Sequence, residues 1–193
     1  EKNKLRSPLL PQTDLNLAWA EPPPIDGSNL TWDALSSLET LLPQLTDTSL
    51  LYGYQRPYVS VQDLSGQLIY DRPRSPCKTV VLWTLPPSWT HLRWLLAVAR
   101  PHRVYVRNGV PKMPDAAVLR SQLGFQIVKQ PEAKLNLLDL GQQWWVSPSV
   151  LIAMLREMGY PCPNFPKTDQ VEQELERLVR WYQCPAQRLA QLT

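Results

Sequence analysis

Residues 72–114 hold eight basic side chains, Arg72, Arg74, Lys78, Arg93, Arg100, Arg103, Arg107 and Lys112, and not one aspartate or glutamate. Cations without counter-charge attract phosphates. Each phosphate neutralised releases counterions, so binding by such a surface weakens steeply with salt. Trp89 and Trp94 lie inside the same run and offer indole faces on which unpaired bases stack. The competing reading is intramolecular. Residues 1–71 carry nine acids against four bases, enough to pair with the basic run and leave a solvated face. Strand binding therefore requires the cations to gather on one surface, uncompensated by carboxylates of the amino-terminal third. The aromatic stretch 51–58, with Tyr52, Tyr54 and Tyr58 around Gly53, reads as a strand edge leading into a binding loop, or as tyrosines packed inward with bonded hydroxyls. Tyr54, Trp89 and Trp145 are the expected partner anchors. Of the adjacent Trp144 and Trp145, at least one belongs in the core.

Catalysis within the chain is not expected. Neither common phosphate-cradling loop occurs, nor H-E-x-x-H, C-x-x-C, a carboxylate cluster or a G-x-S-x-G elbow. Asp63 and Asp71 flank an expected hairpin but are too isolated to read as an acid/base pair. Cys77, Cys162 and Cys184, odd in number and widely spaced, do not form a disulfide framework. Cys162 and Cys184 are open to meeting in space. With His91 and His102 elsewhere, no zinc pattern forms, and a reducing cytoplasm is the expected compartment. No apolar run approaches the roughly 18 residues of a membrane span, and no signal peptide is visible. The chain begins at Glu1 rather than at a methionine, so it is expected to be part of a longer protein.

The elements that must position the basic residues follow from periodicity. Residues 78–84 are a continuous apolar run, expected as a strand buried on both faces. Ser88 caps a helix with Leu92, Leu95, Leu96 and Ala99 on one side, stopped at Pro101. Residues 102–107 alternate as a second strand. Residues 15–20 and 49–54 read as strands. Residues 32–42 read as a helix capped at Asn29 or Thr31, and residues 58–64 and 67–70 read as a hairpin about Ser65-Gly66. From residue 114 helices dominate: 115–123 closed by Gly124, a short strand or turn at 125–128, then 135–142, 147–158 and 170–183. The expected fold is α/β, a Rossmann-like open sheet layer followed by a small helical, winged-helix-like subdomain. The expected division is a tail or linker at 1–14, an α/β domain at 15–112 and a helix-turn-helix-like part at 113–193. Only Arg156 is basic on the second helix of that outline and Glu157 repels phosphate, so packing is favoured there over base readout.

The run from Lys78 through Leu85-Pro86-Pro87 to Trp89, then Leu92 to Arg100 and Arg103-Val104-Tyr105-Val106, resembles the C-terminal region of single-stranded-DNA-specific exonucleases of the RecJ family. The resemblance covers about residues 49–159. It implies a non-catalytic accessory module of a 5′–3′ exonuclease in DNA repair and recombination. Expected partners are single-stranded DNA, single-stranded-DNA-binding protein and the remainder of the parent chain, with no membrane. In that family, Asp-His-His motifs of an N-terminal core hold Mn²⁺ or Mg²⁺. Nothing here matches those motifs, so no cofactor is expected in this chain. On this reading Arg72, Arg74, Lys78, Arg93, Arg100, Arg103 and Arg107 hold a DNA strand or an acidic peptide. The other readings are a dimeric helix-turn-helix regulator on duplex DNA and a purely structural scaffold.

Overall fold

The computed structural model describes residues 15–59, 68–69, 73, 75–130 and 133–193. The elements run β1 (Leu17–Ala18), β2 (Thr31–Ala34), α1 (Leu38–Leu41) with a 3-10 turn at Leu42–Gln44, β3 (Ser49–Tyr52), β4 (Leu68–Ile69), β5 (Thr79–Leu82), α2 (Trp89–Ala99), β6 (Arg103–Val106), α3 (Ala116–Lys129), β7 (Leu135–Asn136), α4 (Leu137–Trp144), α5 (Pro148–Glu157), α6 (Val171–Tyr182) and α7 (Ala186–Leu192). Five strands form a parallel sheet in the order β2-β6-β5-β3-β4, and β1 pairs with β7 in a separate parallel ribbon. The fold is α/β with a parallel sheet, as the strand-helix-strand reading of residues 78–107 expects.

Alternation along the central strands divides the core. Leu50, Val80, Leu82, Val104 and Val106 face α2 and the helices that follow, while Leu51 and Val81 face Leu38, Leu41, Leu42 and Leu45 on the other side. Val80, Val81 and Leu82 are wholly inaccessible, the state in which β-branched and aliphatic runs are favoured in parallel sheets. Ser88 caps α2 by accepting a hydrogen bond from the His91 backbone N–H. Leu92, Leu95, Leu96 and Ala99 are buried along the helix, each leucine contributing about 1.5–3 kcal/mol on burial. The helix ends at Arg100 in the left-handed region (φ 45°), and Pro101 prevents continuation.

The His91 ring braces the sheet layer against α4. Its Nε2 donates to the Leu138 carbonyl at 2.7 Å, because a carbonyl only accepts. That leaves Nδ1 to accept the Ser88 hydroxyl proton at 2.7 Å.

Three expectations are corrected. Residues 32–42 are not one helix: Trp32 lies in β2, paired with Val104, and the helix starts only after Ser37, which caps it through the Thr40 N–H. The leucine spacing fits a helix, but pairing with β6 and cover from α7 satisfy β2 instead. Gly124 does not stop α3, which runs through residues 125–128 to Lys129; a glycine inside a helix costs only about 1 kcal/mol. The chain also continues past 183 into α7, whose end meets β2 through a Trp32 Nε1 to Thr193 Oγ1 hydrogen bond. The expected hairpin, with Asp63 and Asp71, falls largely outside the described residues. Its Leu68–Ile69 segment forms β4, parallel to β3.

The buried cluster crosses residue 112 without a break, joining sheet residues such as Leu82 and Val104 to Leu119, Leu151, Leu178 and Leu189 of the helices.

Candidate functional site

The basic residues divide between the two ends of the parallel sheet. Lys78 precedes β5 and Arg103 opens β6, at the amino edge, with Arg100 just before β6. Lys78 Nζ lies 3.2 Å from Asp47 and Arg103 Nε 3.5 Å from Asp33. Away from this edge, on α2, Arg93 contacts Glu21 at 2.8 Å. These three pair with acids of the amino-terminal third, as the intramolecular reading expects. Each such exposed pair is worth about 0–1 kcal/mol, but it removes a free cation from a phosphate-binding surface. The Arg103 guanidinium is held above its ordinary pKa first by the Tyr105 hydroxyl and then by Asp33. Arg100 is exposed and makes no ion pair among the described residues. Arg72 and Arg74 lie outside the described residues. Among the described residues the single surface expected from the whole basic run is therefore not formed: Lys78, Arg93 and Arg103 are compensated, and the uncompensated group that is left, Arg107 and Lys112, lies at the other end of the sheet.

The carboxyl edge is built differently. Strands β3, β5 and β6 end at Tyr52, Leu82 and Val106. From β3 the chain moves outward to β4, whereas from β5 it moves back to β6. That reversal between neighbouring strands is where open α/β sheets place ligands. The loops after β3 and β5 meet there. Gly53, at φ 150°, sits so close that a Cβ would fall 2.5 Å from the Thr84 nitrogen. The Thr84 hydroxyl donates to the Tyr54 carbonyl at 2.8 Å, and Arg56 donates to the Gly53 carbonyl at 3.2 Å.

Arg107, the first residue after β6, lays its guanidinium 3.7 Å from the Trp83 ring centroid and donates from Nε to the Trp83 carbonyl at 3.0 Å. It makes no ion pair among the described residues. Burial pulls its pKa below the ordinary arginine value, yet an arginine stays charged. The following loop is tied back by the Lys112 N–H, which donates to the Gln55 side-chain carbonyl at 3.1 Å. The Lys112 ammonium is also without an ion pair among the described residues. Tyr54 is 42% exposed and stacks on Trp145 with centroids 5.7 Å apart, and Tyr58 in the same loop is 89% exposed. This edge therefore presents one fixed cation, Arg107, and the loop after β3 adds exposed aromatic side chains at the same end of the sheet.

The expected anchors fare unequally. Tyr54 is exposed, resting on a buried support. Trp145 is itself that support: it is 8% exposed, packed between Tyr52 and Tyr54, with the Tyr182 hydroxyl donating to its carbonyl at 2.9 Å. It cannot anchor a partner, and Trp144 is the more open of the two. Trp89 is half-buried, edge-on to Trp181 at 6.4 Å, and the Trp94 indole donates to the Ala20 carbonyl at 2.9 Å. Trp83 was not among the expected site residues, and Tyr58 and Lys112 were read only as members of the aromatic stretch and the basic run. Trp83 closes an apolar run and reads as core, and only its place next to a strand end marks it.

In the helix-turn-helix outline, the α5 residues Pro148, Val150, Leu151, Ile152, Ala153, Met154 and Leu155 are buried. Arg156 is consumed by the Cys162, Phe165 and Pro166 carbonyls and the Thr168 hydroxyl. No face of α5 is left to enter a groove. Cys77, Cys162 and Cys184 are buried free thiols whose pKa values burial pushes up. Among the described residues no three His, Cys, Asp or Glu side chains group to hold a metal ion, and no helix is long and apolar enough to cross a membrane. Comparisons with family models, curated proteins and solved structures returned no match.

Proposed function

We propose that the chain is a non-catalytic accessory module of a RecJ-like single-stranded-DNA exonuclease, acting in the cytoplasm, and that it holds single-stranded DNA at the carboxyl edge of its sheet. The observation that carries this reading is Arg107, clamped on Trp83 without a carboxylate partner among the described residues, at the same end of the sheet as Lys112 and the exposed Tyr54 and Tyr58. Phosphates supply the charge Arg107 lacks, and bases stack on the tyrosines, a combination that tolerates any sequence. A preformed guanidinium loses little freedom on binding. Arg100, at the opposite edge, is a third cation without an ion pair among the described residues. The helical half is read as the winged-helix-like portion of the family, acting as a wall behind Tyr54 through Trp145 and Tyr182. The Mn²⁺ or Mg²⁺ chemistry of such an enzyme belongs, on this reading, to a catalytic core outside these residues, and none of its steps runs through this chain.

Fluorescence anisotropy with a labelled oligothymidine at two salt concentrations tests the proposal. Micromolar binding that weakens with salt is expected, with Arg107→Ala losing about tenfold and lowering the salt slope by about one. Binding weaker than about 1 mM, or binding untouched in Arg107→Ala but lost in Arg103→Ala, refutes it. Tighter binding of an acidic peptide than of the oligonucleotide assigns the same edge to a protein partner instead.

A further inference from the structure

Helix α3 is apolar on the side facing away from the core. Leu119, Leu123 and Ile127 are its buried side. At 100° per residue the opposite pole is Val118, Ser121, Phe125 and Val128. Val118 is 50% exposed, Phe125 67% and Val128 63%, and Met158 at the end of α5, 39% exposed, lies beside Gly124 on the flank. A solvent-facing stripe of this kind inverts the usual amphipathic arrangement. Arg120, on the core side of the helix, is paired with Glu157 and Glu172, and the remaining charges stand at the ends. Asp115 caps the helix through the Ala117 N–H, and Lys129 occupies the last turn. Neither makes an ion pair among the described residues.

We propose that this face is an interface with a second copy of the chain, the two α3 helices packed antiparallel about a two-fold axis passing between Ser121 and Gln122. The pattern is self-complementary about that point. Val118 and Phe125 are equidistant from it, so each Phe125 lands against Val118 of the second copy. Lys129 comes within a turn of the second copy's Asp115, and a parallel pairing would instead place like charges together. The small, exposed Ala117 leaves room on the flank for close approach. An isologous contact of this kind closes as a dimer and does not polymerise. One helix face roughly 21 Å long on each side puts it in the weak class of interfaces, with a dissociation constant on the order of 100 µM. The inference is independent of strand binding at the carboxyl edge.

Sedimentation equilibrium across about 10 µM to about 1 mM reads the outcome. The mass is expected to rise from monomer towards dimer. Phe125→Glu is expected to abolish the rise, and Val98→Glu, at an exposed valine on α2, to leave it intact. In a second measurement, Ser121→Cys should form an intermolecular disulfide under mild oxidation far faster than Val98→Cys, since the native thiols are buried. A chain that stays monomeric at the highest concentration overturns the proposal. So does a dimer that survives Phe125→Glu, or equal cross-linking rates at the two engineered cysteines.

Discussion

The two ends of one parallel sheet carry cations in opposite states. At the amino edge, Lys78 and Arg103 each meet an aspartate. At the carboxyl edge, Arg107 meets an indole face and a carbonyl, groups that position it without neutralising it. Both ends arise from the same acid-free stretch of sequence. Local charge density therefore decides little; what matters is which distant segment folds against each cation. Residues 33 and 47 reach the amino edge and bring carboxylates, whereas residues 54–58 reach the carboxyl edge and bring tyrosines and Arg56.

The largest test of this contrast breaks the carboxyl edge outright. Gly53→Val forces a side chain into the Thr84 backbone at a positive φ. It should destabilise the protein by about 3 kcal/mol or more, read by urea denaturation, and abolish strand binding. Next is Tyr182, whose hydroxyl supports Trp145 and whose pKa burial raises above its ordinary 10.0. Tyr182→Phe leaves the Trp145 carbonyl short of a partner and should cost about 1–1.5 kcal/mol.

The raised pKa gives the pH dependence a sign. Unfolded Tyr182 ionises near its ordinary value while the folded residue resists. Stability is full below about pH 10 and falls as pH rises beyond it. The buried cysteines act in the same direction from about pH 9. A pH titration of the unfolding midpoint showing a rise across that window would contradict the burial described here.

Smaller effects sharpen the comparison at the amino edge. Asp33→Asn and Asp47→Asn free Arg103 and Lys78 and should each change stability by no more than about 1 kcal/mol. If the carboxyl edge alone binds DNA, oligonucleotide affinity stays within about twofold. A larger gain would move the site to the amino edge. The smallest effect is Arg100→Gly. Relief of the left-handed conformation at the end of α2 should stabilise the fold by about 0.5–1 kcal/mol, measured by thermal melting, with a slight loss of binding.

The sheet's centre was legible in the sequence because its signals are local. Val80 to Leu82 form one apolar run, Ser88 caps, the α2 leucines repeat and Pro101 stops. Trp32 was not legible, since four residues of strand cannot be told from a helical turn by spacing, and its partners stand at 103–106 and near 193. The site was half legible. Arg107 was in view, but its lack of a carboxylate partner among the described residues is a property of the fold, and Trp83 looked like any core tryptophan. Trp145 is the buried one of the pair, and its left-handed backbone (φ 55°) at the end of α4 is a feature that spacing does not reveal.

The bond between Trp32 and Thr193 spans 161 positions, and it sets a timetable for synthesis. A ribosome adding roughly 5–20 residues per second emits β2 well before the strand that flanks it, and α7 later still. Until then an early, aromatic-bearing segment waits with its edge unfilled, and its last hydrogen bond closes only when the end of α7 has been made.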